Sequence, residues 1–294
     1  MASIAANGIT LDYETVGNPS DPAIVLIRGA GSQRVRWRPQ FLQDLAKGGL
    51  YVITFDNRDV GLSTNFLSFP TPTLPDFMAA FASGNPIAPP YTLNDMAGDV
   101  IGLLDALKIE RAHIMGLSMG GYVGQIVAAE RPDRVRSLIC LASSLEVPGP
   151  HKFSPSVMEA LQASPAGDDE ASIIDYVILV ARAHSGPDFP VDEAFYKDAI
   201  AQEIRRGIPP GGEMRQLMAI VSTEDRSALA TKIVAPTLIV HGSNDPLVPY
   251  SEAQSMNRAI KSSQMFTVEK GGHEITGNWL PLITPVITEF CRRA

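Results

Sequence analysis

The chain has 294 residues, 45% of them hydrophobic and 19% charged, a balance that suits a globular protein with a large core and excludes a disordered chain. Lys and Arg total 24 against 32 Asp and Glu, a formal net charge of −8, and no basic cluster stands out, so a nucleic-acid partner is not expected. The two cysteines, Cys140 and Cys291, are too few for a disulfide framework and read as reduced thiols.

Residues 1–8 show no basic segment ahead of an apolar run, and no apolar run approaches the length of a bilayer span. A cytoplasmic protein without a membrane partner is therefore expected. Short apolar runs rich in β-branched residues predict strands at 9–14, 23–27, 51–55, 112–115, 135–141, 237–241 and 264–268. Helical periodicity predicts helices at 37–47, 93–107, 120–130, 251–260 and 282–292. Their alternation implies a mostly parallel, doubly wound α/β sheet. Residues 66–90, rich in Pro, Ser and Phe, are expected to be irregular and to join the rim of a pocket. Between 143 and 228 no strand is expected, only helical patches such as 171–184 and 194–206, broken by Pro and Gly. This stretch is expected to be a helical cap inserted after the sixth core strand, with residues 1–142 and 229–294 forming the core.

Gly116-Leu117-Ser118-Met119-Gly120 joins the run at 112–115 to the helix that follows. Gly-x-Ser-x-Gly between a strand and a helix is the pattern of a nucleophile elbow, a turn tight enough to lift the serine hydroxyl clear of the sheet. A serine hydroxyl needs a base, and the base needs a carboxylate to hold its tautomer, in the chain order Ser, acid, His. Of the five histidines, His113 precedes Ser118, His151 and His184 fall in the insertion, and His241 ends the strand that presents the acid. His273 remains, in a Gly-rich loop expected to be flexible enough to swing its ring across the sheet edge. Asp245 is the one acid in the loop after 237–241, at the carboxyl end of a parallel strand where such sites gather. Glu146 is the fallback carboxylate, and Glu130 and Asp133 read as surface charges.

An oxyanion needs preorganised donors. The Met119 N–H is one, and Ala30, in the small-residue loop Arg28-Gly29-Ala30-Gly31-Ser32, is the other. Arg28 reads either as a structural cation paired with a nearby carboxylate or as a contact to a polar substrate group. Trp37 reads as a pocket wall. Phe66, Phe69, Phe77, Phe81, Tyr176 and Tyr196 are candidates for core or pocket lining. The charged turn at 56–63 reads as an anchor for the loops beside the oxyanion site. No metal-ligand spacing, phosphate loop or cofactor motif is present.

Together these motifs resemble the α/β-hydrolase superfamily over essentially the whole chain. Within it, Arg28–Gly31, the 55–63 segment, Pro90-Tyr91-Thr92-Leu93-Asn94-Asp95-Met96-Ala97 and Gly116–Gly121 resemble the aclacinomycin methylesterase-like group. The resemblance implies a serine esterase without cofactor, with Ser118, Asp245 and His273 as triad, Ala30 and Met119 as oxyanion donors, and a small-molecule ester as substrate. It leaves the acyl and alcohol groups open, and a homodimer is compatible with it. A carbon–carbon hydrolase of ring-cleavage diketones and a non-catalytic ligand-binding member of the fold stay open as alternatives. Epoxide hydrolases and haloalkane dehalogenases are excluded because they need an aspartate where Ser118 stands.

Overall fold

In the computed structural model, which describes residues 2–146, 152–223 and 226–294, the chain opens with a hairpin of β1 (Ala2–Ala6) and β2 (Ile9–Val16). Asn7 and Gly8 turn it with φ of 49° and 77°, the conformation that Asn-Gly supplies most readily in a two-residue hairpin. Strand β1 precedes the first strand that the apolar runs predict, at 9–14.

The elements that follow are β3 (Ala23–Ile27), α1 (Pro39–Lys47), β4 (Tyr51–Phe55), α2 (Leu74–Ala82), α3 (Leu93–Ala106), β5 (Ala112–Leu117), α4 (Met119–Glu130) and β6 (Val135–Leu141). Among the described residues, α5 (Pro155–Gln162), α6 (Glu170–His184), α7 (Glu193–Arg206), α8 (Gly212–Val221) and α9 (Ser227–Ala230) come next. The chain closes with β7 (Thr237–Gly242), α10 (Tyr250–Ala259), β8 (Ser263–Val268) and α11 (Leu280–Arg293).

The eight strands lie in the order β1-β2-β4-β3-β5-β6-β7-β8. The β1–β2 and β2–β4 pairs are antiparallel and all others parallel, giving the α/β fold the alternation predicts. β3, β5 and β7 are buried at every residue because helices cover both faces of the sheet. Val100 and Leu103 of α3, Val123 and Ile126 of α4 and Met256 of α10 fill one face. Phe41 and Leu45 of α1 and Ile283 and Ile287 of α11 fill the other.

Local chemistry sets the ends. Helix α1 starts at Pro39 rather than at residue 37, since proline is preorganised for the first helical position and pushes Arg38 into extended backbone. Helix α3 starts with a capping box between Thr92 and Asp95. The 66–90 stretch, expected to be irregular, contains α2. Thr73 caps it by accepting the Asp76 N–H, a Thr-x-x-Asp signal hidden among prolines and serines.

Between β6 and β7, α6 and α7 share a small apolar cluster of Ile178, Ala181, Tyr196 and Ile200. Ala219 and Ile220 of α8 instead join the main core. Ion pairs tie these helices to the sheet: Arg215 to Asp59 at 2.8 Å, Arg206 to Asp12 at 2.7 Å and to Asp56, and Glu203 to Arg36 at 2.7 Å. Asp56 and Asp59 belong to the charged turn at 56–63, so that turn anchors the insertion as well as the loops beside it. A buried carboxylate needs such a partner.

Candidate active site

Ser118 stands between β5 and α4 with φ 53° and ψ −117°, backbone that a non-glycine residue adopts only where its surroundings over-determine it. The Ser118 N–H donates to the Leu141 carbonyl at 2.9 Å. Its own carbonyl accepts from Ser143 Oγ at 3.0 Å and from the Gly121 N–H at 2.8 Å. The backbone is thus fixed while the side chain stays half-buried, and Ser118 Oγ makes no hydrogen bond among the described residues.

A β-carbon at Gly116 would press into the Gly120 carbonyl. Gly116→Ala is therefore expected to destabilise the protein by about 3 kcal/mol, the upper range for overpacking, with a lowered midpoint in thermal denaturation. An unchanged midpoint would contradict this account of the elbow.

Asp245 lies three residues beyond β7. Its Oδ1 accepts the N–H groups of Leu247 and Val248 at 2.9 and 2.7 Å. Its Oδ2 meets His273 Nδ1 at 2.8 Å and lies 3.3 Å from His241 Nε2. The two side chains chosen by elimination are thus in contact, and an ionised carboxylate on Nδ1 makes that nitrogen the donor and leaves Nε2 as a free base. Burial alone would push the Asp245 carboxyl up, but the charge of His273 and hydrogen bonds from His241 and His273 hold it far below the usual carboxylate range. Burial would likewise lower the His273 imidazole, yet the adjacent Asp245 carboxylate outweighs it and raises the ring above its ordinary 6.5.

The His273 loop, expected to be flexible, is pinned. Gly271 packs on the Trp279 ring and Gly272 on the 184–186 backbone. The N–H groups of His273 and Glu274 both donate to the His184 carbonyl, at 2.7 and 3.1 Å. The His184 ring meets the His273 ring edge-on with centroids 5.8 Å apart. Burial and the neighbouring His273 push the His184 imidazole down to about 4, so it stays neutral. Chain order excludes His184 and His241 as bases, and their contacts to His273 and Asp245 are tertiary features that chain order does not display.

The loop after β3 runs alongside Ser118. A β-carbon at Gly29 would sit 3.4 Å from Ser118 Cβ. The Gly31 N–H donates to Gln216 Oε1 at 2.8 Å, and Gln216 Nε2 donates to the Arg58 carbonyl at 2.8 Å, so α8 holds this loop from above. Neither Gln216 nor the nearby Glu213 carries a local sequence signal. The Ala30 N–H has no acceptor among the described residues. Met119 is the first residue of α4, so its N–H has no partner in the helix ladder.

Arg28 is 5% exposed and lies 4.8 Å over the Trp37 ring. The carboxylate partner expected for it is missing: none of the ion pairs among the described residues involves Arg28, because Glu203 is taken by Arg36 and the Gln33 N–H. Trp37 itself is 3% exposed and packs in the core layer with Phe41. Phe66 packs on Tyr91, and Phe77 on Phe81. Tyr176 is half-buried. Glu146, Glu130 and Asp133 are exposed, and His113 in β5 bonds Ser137. His151 lies outside the described residues. Among the described residues no group of His, Cys, Asp and Glu could hold a metal ion, and no helix is long and apolar enough to cross a membrane.

Residues 22–276 match the family model described as alpha/beta hydrolase fold. The sequence is 26% identical to rhodomycin D methylesterase DauP of Streptomyces sp. (strain C5), across 98% of this chain and 96% of that protein. It is 27% identical to 3-oxoadipate enol-lactonase 1 of Acinetobacter baylyi, across 89% and 86%. In fold it is similar to the crystal structure of the enol-lactonase from Burkholderia xenovorans LB400, with a TM-score of 0.73 at 24% identity, across 99% of this chain and 100% of that one.

Proposed function

Because this chain belongs to the alpha/beta hydrolase fold family, we propose that it is a serine carboxylic ester hydrolase that acts on a small or medium-sized ester through an acyl-enzyme. Ser118 is the nucleophile, His273 the general base and then acid, and Asp245 the carboxylate that sets the tautomer of His273. The observation that carries this proposal is the 2.8 Å contact between Asp245 Oδ2 and His273 Nδ1, made at the carboxyl edge of the strands where the Ser118 elbow opens. The relatives named above support it, since a methyl ester and an enol lactone are both carboxylic esters.

His273 Nε2 takes the proton of Ser118 Oγ as the oxygen attacks the ester carbonyl. The Ala30 and Met119 N–H groups receive the charge that develops on the carbonyl oxygen, in a site where such donors act most strongly. The protonated His273 then gives its proton to the leaving alcohol, and the ester bond breaks to leave the acyl group on Ser118. Water repeats the sequence on the acyl-enzyme, releasing the acid and restoring the serine. Asp245 stabilises the imidazolium in both halves. Ser118 Oγ and His273 make no hydrogen bond to each other among the described residues, and such bonds often tighten only in the complex with substrate. Residues 143–228 act as the cap that closes the site.

The pH profile of p-nitrophenyl butyrate hydrolysis tests this assignment. A protonated His273 cannot accept the serine proton, and Asp245 keeps the ring protonated to a higher pH than usual. Activity should therefore be lost as pH falls through a midpoint above 6.5, the ordinary imidazole value, and be level above it. A flat profile, or a midpoint well below that value, would contradict His273 as base.

A further inference from the structure

Arg28 follows directly on β3 and shares the sheet face of Ile24 and Leu26, which pack in the layer that holds Trp37. Its guanidinium lies over the Trp37 ring, and the next residue, Gly29, lies against Ser118. Its Nε is sealed from water without an acceptor. The charged and polar groups that act on it are Glu274, beside His273, then Arg36, Tyr196 of α7, and Glu203. Of these, Glu203 is already engaged by Arg36 and Gln33, and Arg28 forms no ion pair with Glu274 among the described residues. Burial pulls the guanidinium downward, yet an arginine stays charged. A buried cation stacked on an aromatic ring but lacking an acceptor is an unfavourable arrangement that an anionic ligand relieves.

We infer that Arg28 anchors an anion subsite beside the oxyanion loop, so that the preferred substrate is an ester or lactone bearing a second, free carboxylate. This rests on the esterase function proposed above and adds a substrate class to it. The planar fork of the guanidinium matches a carboxylate. Arg28 touches the non-reacting end of the substrate and takes no part in bond making.

Monomethyl glutarate and methyl pentanoate form a matched pair, differing by a terminal carboxylate in place of a methyl group. In a pH-stat assay the wild type should prefer the anionic ester, with the ratio of the two kcat/KM values well above one. Arg28→Met should lower that ratio about tenfold or more, the range for a charge-assisted hydrogen bond, and Arg28→Lys should fall between. As a binding readout independent of turnover, free glutarate should raise the unfolding temperature of Ser118→Ala and lose that effect when Arg28→Met is added. Ester turnover with an unchanged ratio in Arg28→Met would overturn the anion subsite and leave the esterase function standing. Conversely, an Arg28-dependent glutarate shift with no turnover of either ester would support the subsite and overturn the esterase function. No glutarate shift in Ser118→Ala would count against the subsite.

Discussion

Ser118→Ala should lower kcat/KM for p-nitrophenyl butyrate by about 10⁴-fold or more, the loss found when a serine nucleophile of a triad is removed. The alanine keeps the backbone contacts of the elbow, because the bonds to Leu141, Ser143 and Gly121 use main-chain atoms of residue 118. Alanine at φ 53° is also no more strained than serine there. The unfolding midpoint should accordingly stay close to that of the wild type, which separates a loss of catalysis from a loss of the fold. Activity reduced less than tenfold in a folded variant would remove Ser118 from the mechanism.

Asp245→Asn should reduce kcat by about 10⁴-fold, as the wrong tautomer does in a comparable triad. The reason lies in which oxygen is already committed. Oδ1 accepts two N–H groups, from Leu247 and Val248, so in the variant the carbonyl oxygen of the asparagine must occupy that side. Its amide NH₂ is then forced toward His273 Nδ1. The imidazole can only accept from it, which moves the ring proton to Nε2 and removes the lone pair that Ser118 needs. With the carboxylate gone, the residual activity should also show its acid limb shifted to lower pH, because the charge that raises the imidazole is lost. A variant with more than a tenth of wild-type kcat would contradict the role of Asp245.

Much of this was legible in the chain itself. Buried parallel strands are apolar on both faces, so runs such as 23–27 and 51–55 mark β3 and β4 to the residue. The pair Asp245 and His273 followed from chain order and from the habit of parallel sheets to expose their carboxyl ends, and the two side chains meet. Strand β1 was missed because five residues rich in alanine carry little strand signal. Asn7-Gly8 was the evidence for it, since both residues adopt positive φ. Helix α8 was missed for a different reason. It packs through Met218 and Ala219, both fully buried, and its Gln216 reaches Gly31, 185 residues away, a contact with no local periodicity to announce it.

Of the two readings of Arg28, the paired cation is not met, and the reason is the same. A charged residue after a strand ordinarily finds a counter-ion, but which carboxylate is free depends on all the other pairs, and Arg36 takes Glu203 first. The His273 loop shows the converse. Its glycines suggest mobility, whereas in the fold they allow the close approach of Trp279 and of the 184–186 backbone, which holds the imidazole still.

The central claim, that Ser118 is an activated nucleophile, is tested most directly by labelling with a fluorophosphonate and mapping the adduct by mass spectrometry. Cleavage at arginine gives a peptide 112–134, since the bond between Arg131 and Pro132 resists trypsin, and Ser118 is the one serine in it. The adduct is expected on this peptide, in one copy per chain, and to be lost in His273→Ala because an unassisted serine does not react. An unmodified 112–134 peptide after exhaustive labelling, or an adduct formed equally well in His273→Ala, would contradict the account.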